Sequence, residues 1–229
     1  MQWQSDNCAQ DSRTPLSVVG GYLPQGNRAR IGIPHSTKEN LIMKILNAMV
    51  GTLLLAAAPI AAQAEDMSYS FIDLGYSELN FDGGPTGDGF GVRGSIGFAE
   101  NFFGFADYQS LDFSLGDLDI YSIGLGGRME IAESVDLVGK VGYLKADVSS
   151  DGLSGDESGY LVSAGVRARP ASQFELEGNV IYRDFGSGSD DTAVAVAARY
   201  FFTDMFAIGA EYEMSDDQDI WFAGVRLSF

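Results

Sequence analysis

The chain has 229 residues, 32 acidic and 14 basic, for a formal charge of −18. That balance argues against nucleic acid as a partner, because little basic surface is available to neutralise phosphates. A mean hydropathy near zero looks water-soluble, yet it does not exclude membrane strands that alternate apolar with polar residues.

Residues 1–42 are polar, punctuated by Gly and Pro, and carry neither helical nor strand periodicity. They read as a start assigned too early or as a disordered extension. Met43-Lys44 then opens a short basic region, Ala48 to Ala58 is an apolar run, and Ala62-Gln63-Ala64 gives a small-x-small cleavage pattern. This is the layout of a secretory signal peptide over 43–64. The apolar run is too short for a transmembrane helix, which needs roughly 20 residues. The mature chain would be 65–229, with 29 acids, 9 bases and a net charge of −20. Cys8 and His35, the chain's single Cys and single His, both precede it.

From Met67 onward apolar and polar residues alternate between turn residues, and no helical window of useful length intervenes. Ten strands are expected, near 67–77, 88–98, 102–113, 118–130, 136–148, 158–169, 173–185, 192–202, 206–215 and 218–229. Lengths of about 10–12 suit tilted strands that cross a bilayer. The connections alternate between tight turns, such as Ala132-Glu133-Ser134, and longer stretches rich in Gly, Asp and Ser, such as Glu78 to Gly87 and Ser149 to Glu157. Tyr76, Tyr108, Tyr121, Tyr143, Tyr160, Tyr182, Tyr212 and Trp221 fall on outward faces toward one end, and Phe98, Phe102, Phe174, Phe202, Phe206 and Phe229 lie beside the tight turns. Two aromatic girdles at two membrane interfaces follow. The expected fold is all-β: a transmembrane, antiparallel, up-and-down β-barrel of ten strands, with both termini periplasmic and acidic loops outside. A soluble barrel or sandwich would have no reason to sort its aromatics in this way.

The inward face carries charge in a pattern. Even strands place Arg93, Arg128, Arg167, Arg199 and Arg226 inward near their periplasmic ends. Odd strands place Asp73, Asp107, Lys140, Glu177 and Glu211 inward at similar depth. One reading is a narrow lumen in which these charges pair and fill the space; Glu177→Ala should then lower the melting temperature more than any loop substitution. The other is a small passive pore that prefers anions, because bases outnumber acids in this ring. In 65–229 the absence of His and Cys removes His-dependent hydrolases, Cys nucleophiles and His- or Cys-ligated metals. Asp190-Asp191 and Asp216-Asp217 read as solvated loop acids, and Asp151 to Glu157 lacks the ligand spacing of a calcium loop. No enzyme, cofactor or specific metal site is expected.

The last strand alternates cleanly, with Trp221, Ala223, Val225, Leu227 and Phe229 on one face. Together with the opening Ile72-Asp73-Leu74-Gly75-Tyr76 and the recurrent Val-Arg and Gly-Arg pairs, it resembles the small OmpA/OmpX-like bacterial outer-membrane β-barrel family. The resemblance implies that Trp221, Val225, Leu227 and Phe229 form a C-terminal signal read by the barrel-assembly machinery. It implies periplasmic chaperones during transit, outer-membrane lipid and lipopolysaccharide as surroundings, and a monomer. It also raises an eight-strand alternative, the number in the best-known members. Function is specified more weakly: a non-catalytic envelope protein with a structural or surface-interaction role, or the small pore. The final strand should close against Ser68–Ser77 and set Arg226 near Asp73.

Overall fold

Alternation of side chains forces each strand here to show one face to lipid and one to the interior, and a sheet with two such faces has no stable open edge in a membrane. The computed structural model describes residues 67–150, 153–186 and 190–229. The extension 1–42, the leader 43–64 and Asp151-Gly152 lie outside the described residues. Ten strands run β1 Phe71–Phe81, β2 Thr86–Ala99, β3 Phe102–Phe113, β4 Gly116–Ala132 and β5 Val135–Ser150, then β6 Leu153–Ala171, β7 Phe174–Asp184, β8 Asp190–Phe201, β9 Phe206–Met214 and β10 Gln218–Ser228. Each pairs with its sequence neighbours, and β10 pairs with β1 to close the barrel. The strand count is therefore ten, and the eight-strand alternative is set aside. In the closing pair Asp73 stands opposite Arg226 and Gly75 opposite Gly224.

Several boundaries move. β1 starts at Phe71, four residues later than expected, and runs on to Phe81, so the long connection at 78–87 shrinks to Asp82–Pro85. β6 begins at Leu153, which turns most of the expected loop at 149–157 into paired strand. Asp190 and Asp191 open β8, opposite Asp184 and Arg183, and are not loop residues. The cause is common to all three. Beyond the apolar zone both faces of a hairpin meet water, so the ladder continues while the apolar alternation that reveals it stops.

The outward face is the apolar one. Ile72, Leu74, Ile96, Ile123, Leu125 and Val141 all expose large side chains there. Aromatic rings border this zone at both ends. Toward the hairpin end Phe90, Tyr108 and Tyr121 touch in series, with centroids 5.8 and 4.9 Å apart, and Tyr212 meets Trp221 at 4.5 Å. Toward the end where β1 starts and β10 finishes, called the terminal end below, Phe174, Tyr200, Phe202 and Phe206 form a second series at 5.2, 5.0 and 6.0 Å. Rings with a polar edge suit the boundary between hydrocarbon and water.

The two ends differ in build. At the terminal end the turns are tight, and register shifts at Gly97/Ala99, Glu130/Ala132 and Ala168/Ala171 let the chain reverse within a few residues. Ser134 takes the left-handed conformation at φ 62° to complete one of these turns. At the opposite end β5 and β6 stay paired from Tyr143–Tyr160 up to Ser150–Leu153, about 20 Å beyond the aromatic girdle. β6 meets β7 only from Tyr160–Asp184 downward. The projecting part of β6 thus has a free edge among the described residues.

Candidate functional site

The interior is where the sequence invests its charge, and strand alternation delivers those side chains there. Glu175 is the centre. It is 1% exposed. Its two carboxylate oxygens accept from Arg167 Nη2 at 2.8 Å, Arg199 Nη1 at 2.9 Å and Arg226 Nη1 at 3.2 Å. Arg226 also grips Asp73 in a two-pronged pair, Nε to Oδ1 and Nη2 to Oδ2, both 2.7 Å. Arg199 Nη1 continues to Glu177 Oε2 at 2.9 Å, and Lys140 Nζ lies 3.9 Å from the other Glu177 oxygen. Arg93 Nη1 reaches Glu211 at 2.8 Å. Planar guanidinium forks make such shared pairing geometrically economical, because each supplies several donors in fixed directions.

Two further groups stand apart. Asp136 receives Tyr69 Oη at 2.7 Å and Arg128 Nη1 at 3.3 Å. Toward the hairpin end Arg183 donates to both oxygens of Glu213, at 2.7 and 2.8 Å, and to Asp191 at 3.2 Å. Asp107 accepts from Ser122 Oγ at 2.9 Å.

Many of these bonds are chords. Arg226 on β10 reaches Glu175 on β7, and Arg93 on β2 reaches Glu211 on β9, in each case passing over two strands of the wall. A bond between strands that are not neighbours must cross the lumen, so each chord occupies space that a channel would need. Aromatic rings fill much of the remainder. Arg93 stacks on Phe222 at 4.1 Å and Arg226 on Phe71 at 3.5 Å from guanidinium carbon to ring centroid. Phe222 lies over Gly75 and Gly91, where a Cβ would meet its ring at 2.7 and 3.0 Å. Phe103 rests on Gly126, and Phe105 on Gly124 and Gly142, by the same logic. Glycine on the inner wall thus seats rings at least as much as it makes room for long charged chains. A second packed group, Leu79, Leu111 and Ile220, fills the hairpin end beside Phe81, Phe113, Leu118 and Ile120.

The ten inward charges read from the sequence do not form one alternating ring. Asp73 joins Arg226; Arg93 joins Glu211; Lys140, Glu177 and Arg199 share one group. Arg128 and Arg167 instead take Asp136 and Glu175, two acids absent from that reading. A signal for both exists in the sequence: Asp136 is in phase with Lys140, and Glu175 with Glu177. With them included, Asp73, Asp107, Asp136, Glu175, Glu177 and Glu211 face Arg93, Arg128, Lys140, Arg167, Arg199 and Arg226. The excess of bases that suggested anion preference disappears at this level. Arg169, nearer the rim, donates Nε and Nη2 to the Ser172 carbonyl. Of the last-strand residues, Trp221, Val225, Leu227 and Phe229 all face outward and are 40–60% exposed.

Outside the barrel, above the girdle, acids oppose acids. Asp88 stands opposite Glu78 on one side and Asp112 on the other, and Asp112 faces Asp117. Asp147 sits between Asp119 and Asp156, and Asp184 faces Asp190. Directly opposed like charges destabilise a sheet, so these rows cost stability unless cations screen them. Asp147 is relieved in part by Lys145, whose Nζ is 2.6 Å from its Oδ1.

The family model for the outer membrane protein β-barrel domain matches residues 50–197. An attachment invasion locus protein of Yersinia enterocolitica is 26% identical over 164 residues, covering 62% of this chain and 89% of that protein. Among solved structures, Ail, the attachment invasion locus protein of Yersinia pestis, aligns at 20% identity with a TM-score of 0.37, covering 71% of this chain and 100% of its own. The KdgM porin in complex with disordered oligogalacturonate aligns at 12% identity with a TM-score of 0.41, covering 70% of this chain and 99% of its own.

Proposed function

The chain belongs to the outer membrane protein β-barrel family, and from that premise we propose that it is a non-catalytic, monomeric envelope protein of the bacterial outer membrane with a closed lumen. Its termini lie in the periplasm, and its projecting hairpins and acidic rows lie outside. The observation that carries this reading is Glu175, which ties together Arg167, Arg199 and Arg226 from three strands. A carboxylate shared among three guanidiniums is too well compensated to release them for a passing ion, and undoing one such pair costs about 3–5 kcal/mol.

What remains for function is the surface. The acidic rows sit just above the aromatic girdle, at the level of lipopolysaccharide headgroups, where divalent cations shared with the anionic lipid would relieve their repulsion. The edge of β6 above Ser158, free among the described residues, and the acids around it offer a partner the outermost part of the molecule. The name of the Yersinia enterocolitica relative, an attachment invasion locus protein, supports a surface-interaction role. The C-terminal face of Trp221, Val225, Leu227 and Phe229 suits recognition by the assembly machinery after delivery by periplasmic chaperones.

The competing reading is a small passive pore, which retains in its favour a polar interior. Liposome swelling separates the two. Vesicles carrying the folded barrel should swell in an isotonic small sugar no faster than empty vesicles. Swelling that scales with the amount of protein would favour the pore.

A further inference from the structure

The segment that precedes β1 enters the terminal mouth of the barrel. Met67 and Tyr69 are 6% and 8% exposed, although they belong to no strand. They pack in one cluster with Phe103, Phe105, Val138 and Leu161 from the inner wall. The segment is fastened on both sides. Ser95 Oγ of β2 donates to the Tyr69 carbonyl at 2.7 Å, and the Tyr69 hydroxyl donates to Asp136 of β5 at 2.7 Å. The residue therefore bridges strands that are three places apart in the wall. Arg128 and Arg167 stand over its ring, their guanidinium carbons 5.1 and 4.6 Å from the centroid. Ser68 Oγ accepts from the Ser70 amide at 3.1 Å and donates to the Phe229 carbonyl at 3.4 Å, which pins the bend beside the closing strand.

We propose that Met67–Ser70 is a stopper that seals the terminal mouth and is separable from the barrel that holds it. The paired register of β1 with its neighbours begins at Phe71, and the segment adds to it one backbone bond, from the Phe229 amide to the Ser70 carbonyl at 3.0 Å. What it contributes is a phenol ring and a thioether laid over the terminal end of the lumen, with the ring held by the bond from its hydroxyl to the Asp136 carboxylate. Removing the ring should therefore admit solute to the inner wall without opening the wall itself. The inference rests on the closed-lumen reading and adds a second barrier to it.

The test uses Val138→Cys in a Cys8→Ser background, so that the probe is the single thiol; Val138 is 4% exposed and lies in the same cluster. A small, charged, membrane-impermeant methanethiosulfonate should modify the folded parent slowly. Adding Tyr69→Ala should raise the rate at least tenfold, whereas Tyr69→Phe, which keeps the ring, should leave it slow. Equal slow rates in the parent and in Tyr69→Ala overturn the stopper and leave the closed lumen standing. Fast modification in the parent overturns both. The heat-dependent gel shift checks folding. If Tyr69→Ala does not assemble, Met67→Gly takes its place: faster modification supports the stopper, and an unchanged slow rate overturns it.

Discussion

Glu175→Ala is expected to be the most destabilising single substitution in the lumen, at about 3–5 kcal/mol. The loss has a direct physical origin. Arg226 would keep Asp73 and Arg199 would keep Glu177, but Arg167 would lose its pair with Glu175 inside a wall where it is 4% exposed. Its Nε already lacks a hydrogen-bond partner among the described residues, and the Tyr69 ring it stands over supplies no carboxylate to replace the one lost. The three guanidiniums that Glu175 holds together would also repel one another. Urea unfolding of the barrel folded into vesicles measures the effect. Glu177→Ala should cost less, because Glu177 closes one strong ion pair and one long one besides a hydrogen bond from the uncharged Asn179 side chain. Asp217→Ala, in the exposed β9–β10 turn, should stay within about 0.5 kcal/mol of the parent. If Glu175→Ala and Asp217→Ala unfold at the same urea concentration, Glu175 is not the centre of anything.

The second large effect is expected at the seam. Gly75 of β1 faces Gly224 of β10 and Gly91 of β2, and Gly224 faces Gly209 of β9, so four glycines lie in register across four strands. A Cβ on Gly75 would stand 2.5 Å from the Ala223 carbonyl oxygen and 2.8 Å from the Gly224 Cα, both backbone atoms that cannot step aside. It would also strike the Phe222 ring at 2.7 Å. Gly75→Val should therefore abolish the heat-modifiable folded form, since the strand pair that closes the barrel is the one it forces apart. Gly94→Ala is the control. It lies further along β2, and its Cβ would meet nothing nearer than the Ala106 oxygen at 3.8 Å. Normal assembly of Gly75→Val would mean that this row is not a point of close approach.

Much of this architecture is legible in the residues. Period-two alternation defines ten strands, and the charged positions Asp73 and Arg226 fix the register of the closing pair because both must face inward at the same depth. The upper hairpins are less legible. Asp156 and Glu157 read as loop because acids on both faces carry no apolar signal, yet they continue the β5–β6 ladder. Least legible are the chords. Alternation says that Arg93 points inward; it does not say that Arg93 passes over β1 and β10 to reach Glu211, because that depends on the stagger of strands around the barrel. The same stagger raises Glu175 above Glu177 as the shared acceptor. Tyr69 is half-hidden: the expected strand 67–77 puts it in phase with inward Asp73, but alternation does not say that its hydroxyl reaches across to Asp136 on β5.

A lumen closed by side chains along its length, as proposed, carries no ions, and recording current across a planar bilayer reads this out. The purified, folded protein should give no steady unitary openings at physiological ionic strength in either voltage polarity. Reproducible openings of fixed conductance, carried by the same heat-modifiable species, would contradict it.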